Sequence, residues 1–333
     1  MSLTPPSPSL ALRALAGLLL IAALGLFSAG ARAQDYPSKP LTLVVPYPPG
    51  GVSDTVGRPV AEAMSRHLRQ TVVIDNRVGA SGAIGMAQVA KARPDGYTVL
   101  MALSSLVVLP EADKALQRQP LFQINQLRPI ARFTADPTVL VVRADSPWKT
   151  YADFMAHVKA NPGRVSFGSS GAYSALHVPM EQLKAATSTA MLHVPYAGAG
   201  PALVGLMAGQ IDALATGPST VVPLIAAGRL RPLAHWGEGR LASLPEVPSL
   251  RELKVPIQYS QWTGLFVPAG TPPEVVDKLR EAARFASQDA RAIAALAAVG
   301  TAFQYQDAPE FERFLQADAK DMSALIARIA RQP

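Results

Sequence analysis

The sequence predicts an α/β fold made of two units, each a mainly parallel sheet flanked by helices. Patterns typical of strands and helices alternate over residues 41–102 and again over residues 138–235. Such alternation is typical of crossover connections between parallel strands. The chain has 333 residues, which is more than a single hydrophobic core usually serves, so two units are expected.

Short apolar runs predict the strands of the first unit, and apolar residues at every fourth position from Val56 to Leu68 predict its first helix. The predicted strands are 41–46, 71–75 and 97–102, and the second helix is 83–92. Pro59 has no N–H to donate within a helix. A helix capped by Asp54 should therefore kink at Pro59 or begin later.

The second unit repeats this alternation, with Gly209 and Gly228 as the C-terminal caps of two helices. Its strands are predicted at residues 138–143, 165–168, 191–194, 211–215 and 230–235. Its helices are predicted at residues 150–160, 173–186 and 201–208 and up to residue 227.

The C-terminal part carries a predicted strand at 262–268 and three helices, too few for a third unit. We expect the helices, at 273–287, 289–298 and 309–329, to return and cover the first unit. The chain would then cross between lobes near residues 132–138 and 236–258. This gives a first lobe of residues 34–134 plus 250–333 and a second lobe of residues 135–249.

The N-terminus has the pattern of a secretory signal peptide. Residues 14–27 form an apolar run, and Ala31 and Ala33 offer a small-residue cleavage site after it. The run is shorter than the roughly 20 residues that a membrane-spanning helix needs, which leaves an uncleaved anchor as the weaker alternative. We expect residues 1–33 to be removed and the mature protein to act in a bacterial periplasm.

The composition excludes several classes of site. The 31 Lys and Arg residues exceed the 24 Asp and Glu residues, for a net charge of +7, and two of these arginines lie in the predicted signal peptide. A modest positive balance suits an anionic ligand or an anionic membrane surface, but no basic run of the kind that binds nucleic acid is present. The sequence has no cysteine, which excludes disulfides and thiolate metal sites.

Six loops after predicted strands are rich in Gly, Ser, Thr and Ala. They are residues 50–54, 79–83, 104–105, 168–174, 197–201 and 216–220. Loops at the carboxyl ends of parallel strands line the binding crevice of open sheets. None of the six contains Lys or Arg, so backbone N–H groups, hydroxyls and helix N-termini would hold an anion. The sequence therefore predicts a site for a small carboxylate, with no cofactor and no metal.

Catalytic patterns are incomplete. Residues 168–171 do not match the Gly-x-Ser-x-Gly turn of hydrolases, and His177 is the only histidine near them in sequence. The other histidines are scattered without metal-ligand spacing, and the glycines of residues 79–85 depart from the dinucleotide-binding spacing. We expect no enzyme activity, and an exported hydrolase is the enzyme alternative.

An ordered series of motifs over residues 36–325 resembles the Bug receptor family, the substrate-binding proteins of tripartite tricarboxylate transporters. Val-Pro-Tyr-Pro-Pro-Gly-Gly at 45–51 and His-Val-Pro-Tyr at 193–196 belong to the series. The other matching segments are 36–40, 73–77, 94–97, 169–171, 198–202, 209–212, 227–231 and 268–272.

This resemblance implies a two-lobed, type II periplasmic-binding-protein fold with the ligand cleft between the lobes. It also implies a receptor that delivers a small organic acid to the membrane subunits of a transporter. One ligand carboxylate would be held by main-chain groups and hydroxyls of loops 51–54 and 169–174. The implied ligand-binding residues are Tyr47, Gly51, Val52, Ser53, Asp54, Ser81, Ser104, Ser169, Ser170, Gly171, Tyr173, Ser174, Gly198, Ala199 and Thr216.

Two departures from the family pattern concern the ligand. Family members often carry Asp-Asn where this chain has Thr216 and Gly217, and Tyr173 stands where a small residue is common. Without the aspartate that family members often have at this position, the α-amine of an amino-acid ligand loses a charged partner. The ring of Tyr173 can stack on a flat ligand. We therefore expect a carboxylate without an amino group, with aromatic acids included, bound by a monomer. A sensor that presents its ligand to a membrane signalling protein is the alternative to a transport receptor.

Overall fold

The computed structural model describes residues 36–329, and the predicted signal peptide lies outside the described residues. The strands are β1 (Leu41–Val45), β2 (Val72–Asn76), β3 (Thr98–Leu103), β4 (Leu127–Pro137), β5 (Val139–Arg143), β6 (Ser166–Ser169), β7 (Leu192–Pro195), β8 (Ala213–Thr216), β9 (Leu230–His235), β10 (Ser260–Pro268) and β11 (Gln306–Asp307). The α-helices are α1 (Val52–Leu68), α2 (Ala83–Ala90), α3 (Ser105–Ala115), α4 (Tyr151–Ala160), α5 (Val178–Thr187), α6 (Ala199–Met207), α7 (Pro218–Ala226), α8 (Pro273–Gln288), α9 (Ala290–Ala298) and α10 (Ala308–Ile329).

The first sheet has six strands in the order β11-β4-β10-β3-β1-β2. Strand β1 is parallel to both β2 and β3, whereas β10 is antiparallel to β3 and β4. The sheet is mixed because the chain returns to it as β10, running in the opposite direction. The predicted strands and the second helix of this unit are present, with ends that differ by at most two residues.

The second sheet has five strands in the order β7-β6-β8-β5-β9. Strand β6 is parallel to β7 and β8, and β5 is antiparallel to β8 and β9. The parallel pairing expected from the sequence is therefore concentrated in β1–β3 and in β6–β8. Each of these groups carries its strand-to-helix loops at one edge, where binding crevices form.

The chain passes from the first sheet to the second at Thr138, between β4 and β5, and returns between β9 and β10. Helices α8 and α9 pack on α1, and α10 packs on α3. The C-terminal helices therefore return to the first sheet, as expected. The numerical lobe boundaries given above stay a prediction.

Helix α1 differs from the sequence-based expectation at Asp54 and at Pro59. It begins at Val52 with Gly51 as its N-cap, and Pro59 lies inside one uninterrupted helix. Asp54 is therefore not the cap. The buried side chains of Val52, Val56 and Val60 hold this helix on the sheet, and tertiary packing of this kind outweighs one missing backbone hydrogen bond.

The sequence also placed the start of α5 wrongly, and it missed three elements: α3, β4 and the two-residue strand β11. Helix α5 begins at Val178 rather than at residue 173, because Pro179 is tolerated in the first turn of a helix but not further in. Helix α3 is buried on nearly every side and so lacks an amphipathic period. Strand β4 contains prolines and charged residues that conceal its strand pattern.

Candidate functional site

The N-termini of three helices meet where the two sheets face each other. Helices α1, α6 and α7 are capped by Gly51, Gly198 and Gly217, which have no side chain to accept hydrogen bonds from the first N–H groups of each helix. A Cβ on Gly51 would lie 3.6 Å from that of Ala199, and one on Gly217 would lie 2.9 Å from Val52 Cγ2. Unused N–H groups and the positive ends of three helix dipoles therefore point into one region, which favours an anion.

Asp54, in the first turn of α1, shapes the loop before the helix. Its carboxylate accepts hydrogen bonds from the N–H of Gly50 at 3.0 Å and from Asn76 at 3.2 Å. Arg58 binds it through Nε at 3.0 Å and a terminal nitrogen at 2.8 Å. Asp54 thus fixes the turn and neutralises Arg58 at the same time.

The side chains of Tyr47 and Ser53 are buried beside this turn. Ser53 Oγ donates to the carbonyl of Met101 at 2.7 Å. Its hydroxyl proton therefore cannot be donated to a ligand at the same time. Tyr47 is 3% exposed; its burial raises the pKa of its hydroxyl, and nearby Ser105 partly offsets this effect. The hydroxyl has no hydrogen-bond partner among the described residues. The loop thus offers its backbone N–H groups rather than charged side chains.

The second predicted loop, residues 169–174, follows β6. The hydroxyls of Ser170 and Ser174 are buried and have no hydrogen-bond partner among residues 36–329. Gly171 has φ of +105°, and a Cβ there would collide with Ser81 Oγ. Tyr173 is half-buried, with its ring edge towards His177 at a centroid distance of 5.7 Å.

The two sheets contact each other directly around these loops. Ser81 Oγ donates to the carbonyl of Ala172 at 2.8 Å. Ala175 is held through both of its backbone groups: its N–H donates to Ser105 Oγ at 2.9 Å, and its carbonyl accepts from Gln261 Nε2 at 3.1 Å. Ser105 and Gln261 are both fully buried, so these bonds are shielded from water and define how closely the sheets approach.

A small cavity remains between the two loops. Its walls are Tyr47, Gly51, Val52, Ser53, Leu103, Ser170, Leu176 and Ala199, and its volume is ≈ 10 Å³. That is about the space of one water molecule. A carboxylate ligand of several carbon atoms therefore needs the sheets to separate before it can enter.

The other predicted residues lie around this region. Ser104 Oγ is 3.2 Å from Tyr259 Oη, while the buried hydroxyl of Thr216 has no partner among the described residues. Glycines 198 and 200 approach Pro48 and Pro49 so closely that a Cβ would clash at either position.

Sequence reasoning missed Gln261 altogether. Its Oε1 is also buried without a partner in the part of the chain that the structure describes. It lies on β10, which reaches the cleft only through antiparallel pairing with β3 and β4. No local motif marks it, whereas Ser105 adjoins a residue that the loop composition did identify.

The structure corrects the view that the histidines are scattered. The rings of His177 and His193 lie with their centroids 4.1 Å apart, and His193 Nε2 is 2.6 Å from Ser169 Oγ. The histidine nearest to this serine is therefore His193 rather than His177. Burial, with a further contribution from His177, lowers the pKa of His193 to about 4.

Within residues 36–329, no group of three or more acidic or histidine side chains has an arrangement that could hold a metal ion. Over the same range, no helix combines the length and apolar character required to cross a bilayer.

Residues 56–330 match the model of the tripartite tricarboxylate transporter family receptors. Protein BugT of Bordetella pertussis is 33% identical over 288 residues, which cover 84% of this chain and 88% of BugT.

Two solved structures from Rhodopseudomonas palustris also resemble the chain. MatC with bound malate is 28% identical, with a TM-score of 0.81 over 87% of this chain and 100% of MatC. A protein solved with adipate is 28% identical, with a TM-score of 0.82 over 89% of this chain and 98% of that protein. Their fold is the two-lobed fold of periplasmic binding proteins, and the chain described here belongs to the receptor family of the tripartite tricarboxylate transporters.

Proposed function

We propose that this protein is a periplasmic receptor that captures a small organic carboxylate between its two lobes and delivers it to the membrane subunits of a tripartite tricarboxylate-type transporter. The observation that supports the proposal is that the glycine-capped N-termini of α1 and α6 line one cavity, while the N-cap of α7, Gly217, lies beside Val52 in the cavity wall. Backbone N–H groups at such positions bind carboxylates without a cationic side chain. No step in capture and release requires covalent chemistry.

Binding would proceed by hinge closure. The cavity of ≈ 10 Å³ is too small to admit a dicarboxylate while the lobes touch. We infer that the crossings near residues 132–138 and 236–258 act as hinges, which open the cleft and close it on the ligand. The ligand stabilises the closed form because it bonds to groups of both lobes only in that form.

The donors we assign to the carboxylate are backbone N–H groups of residues 51–53 together with the buried hydroxyls of Ser170 and Ser174. Both hydroxyls lack partners among residues 36–329, so each gains a hydrogen bond when an anion arrives. Thr216 Oγ1 would bond to the other end of the ligand. Ser53 and Asp54 contribute through backbone and loop shape, because their side chains are engaged elsewhere.

The preferred ligand is a carboxylate without an amino group. Thr216 and Gly217 place no carboxylate where an α-amine could bind, and buried Gln261 offers only a neutral amide oxygen. Malate and adipate, bound by structurally similar proteins, belong to this chemical class. Tyr173 belongs to loop 169–174, and because a tyrosine ring can stack on a flat ligand, it extends the candidates to aromatic acids.

Calorimetry with malate, adipate, benzoate, aspartate and glutamate tests the assignment. We expect heat of binding with at least one of the first three acids and none with the two amino acids. Tight binding of aspartate or glutamate alone would contradict the ligand class. Mass spectrometry of protein isolated from the periplasm under native conditions identifies any ligand that purifies with it, and it also tests the predicted export and monomeric state.

The enzyme alternative deserves comparison because Ser169 lies beside a histidine. Ser169 is fully buried, and its hydroxyl also contacts both backbone groups of Gly171. A histidine whose pKa lies at about 4 is a weak general base at neutral pH. We therefore assign this pair a structural role. Turnover of an ester or amide by the purified protein, lost in a Ser169→Ala variant, would reverse that assignment.

A further inference from the structure

Loop 169–174 is held at both ends by a pair of histidines that lie outside the predicted site. His193, in β7, places Nε2 2.6 Å from Ser169 Oγ. His177, immediately before α5, accepts the N–H of Tyr173 through Nδ1 at 3.1 Å. Since the two rings lie 4.1 Å apart, both ends of the loop are attached to one compact unit.

The hydroxyl of Ser169 is fully used by these contacts. It accepts the N–H of Gly171 at 3.0 Å and donates to the carbonyl of the same residue at 3.0 Å. A serine hydroxyl has one proton and two lone pairs. The second lone pair is satisfied when His193 donates from Nε2, so Ser169 keeps no hydrogen-bonding capacity for a ligand.

The tautomer of the His177 ring follows from its two hydrogen-bonding neighbours. Because Nδ1 accepts from Tyr173, the ring proton lies on Nε2, which is 3.3 Å from Glu181 Oε1. Glu181 also binds Lys184 Nζ at 2.8 and 2.9 Å. Although burial alone would raise the pKa of Glu181, its bonds to His177 and Lys184 lower that pKa to about 2. An ionised carboxylate therefore fixes the tautomer of His177, as second partners of functional histidines commonly do.

We propose that His177 and His193 are positioning residues, which hold loop 169–174 in the shape that presents Ser170 and the loop N–H groups to the cleft. The proposal relies on the proposed function for what the loop binds, but not for the hydrogen bonds that hold it. Glu181 and Lys184 of α5 are the charged groups that face the pair. The N–H of Tyr173 needs the unprotonated Nδ1 of His177 as its acceptor, so losing this nitrogen by substitution loosens the loop.

The first test needs no ligand. Long-range ¹H–¹⁵N spectra of the labelled wild-type protein show which ring nitrogen carries each proton. We expect the Nε2–H tautomer for His177 and a neutral ring for His193 at pH 6. A proton on Nδ1 of His177 at neutral pH would overturn the proposal, and this result does not depend on whether any variant folds.

The second test is amide hydrogen exchange at Gly171 and Tyr173. We expect exchange at Tyr173 to accelerate in His177→Ala and exchange at Gly171 to accelerate in His193→Ala, each by roughly 5- to 30-fold. His177→Asn and His193→Gln should restore part of the protection, because Oδ1 and Nε2 of the new side chains replace the lost acceptor and donor. His157→Ala, at an exposed histidine on α4, is the matched control and should change neither amide.

Calorimetry with malate and adipate completes the experiment. We expect the two alanine variants to lose affinity and His177→Asn and His193→Gln to regain part of it. Unchanged exchange at both amides in the alanine variants would overturn the proposal. Faster exchange in a protein that binds neither acid would support the role of the histidines and count against the proposed ligand.

Discussion

Ser105 Oγ accepts a hydrogen bond from the backbone N–H of Ala175 at 2.9 Å, across the boundary between the two sheets. Ser105 begins α3, beside the first sheet, whereas Ala175 lies between loop 169–174 and α5, beside the second. Gln261 completes the contact by donating to the carbonyl of the same residue. Two buried side chains of the first lobe thus form hydrogen bonds with the N–H and the carbonyl of one residue in the second lobe.

Ser105→Ala should favour the open form of the receptor. The substitution leaves the N–H of Ala175 without its acceptor in the closed form, which destabilises that form by about 1–3 kcal/mol. Small-angle X-ray scattering should give a larger radius of gyration for the variant. Ser65→Ala is the control, because Ser65 Oγ accepts the N–H of Val72 within the first lobe. An increase of the same size in both variants would show that Ser105 does not act on closure.

Gly171→Ala should weaken ligand binding by obstructing closure. Its φ of +105° is unfavourable for alanine, and the added Cβ would collide with Ser81 Oγ of the opposing lobe. Gly163→Ala carries a similar backbone strain at φ of +73° but meets no atom within 4 Å. Titration calorimetry should show a loss of affinity in the first variant only, whereas both should melt at a somewhat lower temperature. Equal affinities would place the closed interface elsewhere.

Ser170→Ala and Ser53→Ala should separate binding from folding. Ser170 Oγ is buried without a partner among the described residues, so its removal should reduce carboxylate affinity by roughly 1–3 kcal/mol and leave unfolding almost unchanged. Ser53 Oγ holds the carbonyl of Met101 at 2.7 Å, so its removal should lower the free energy of unfolding by about 1 kcal/mol. The reverse pattern in calorimetry and urea denaturation would refute the assignment of these hydroxyls.

Asp136→Asn should stabilise the protein at alkaline pH. Burial raises the pKa of Asp136 from 3.8 to about 6, despite a hydrogen bond from Thr301 that lowers it. The folded state therefore binds the proton more tightly than the unfolded state, and wild-type stability rises as pH falls from about 6 to about 4.

The measurement for Asp136 is urea denaturation at pH 4 and at pH 8. The stability difference between Asp136→Asn and wild type should grow by roughly 2–3 kcal/mol from the lower to the higher pH, in favour of the variant. Asp145→Asn, at an exposed carboxylate, removes the same charge and serves as the control. A difference that shrinks towards pH 8 would show that Asp136 is better solvated than its burial indicates.

The sequence by itself determined the α/β class, most strand positions and the glycine- and serine-rich loops that follow β1 and β6. All of these depend on local patterns. Apolar runs and glycine turns express the preferences of neighbouring residues, and so β1, β6 and the loops after them could be placed without a structure. The ordered family motifs rest on the same local information.

Only the tertiary structure decided which of those loop side chains already have hydrogen-bond partners within the protein. Ser53 bonds to Met101, 48 positions away in sequence, and Asp54 bonds to Asn76, 22 positions away. Ser169 bonds to His193, 24 positions away. Gln261 reaches the cleft through antiparallel strand pairing, and His193 reaches Ser169 through the pairing of β6 with β7. Whether a hydroxyl already makes a hydrogen bond within the protein depends on neighbours that folding brings close. No local pattern in the chain encodes those neighbours.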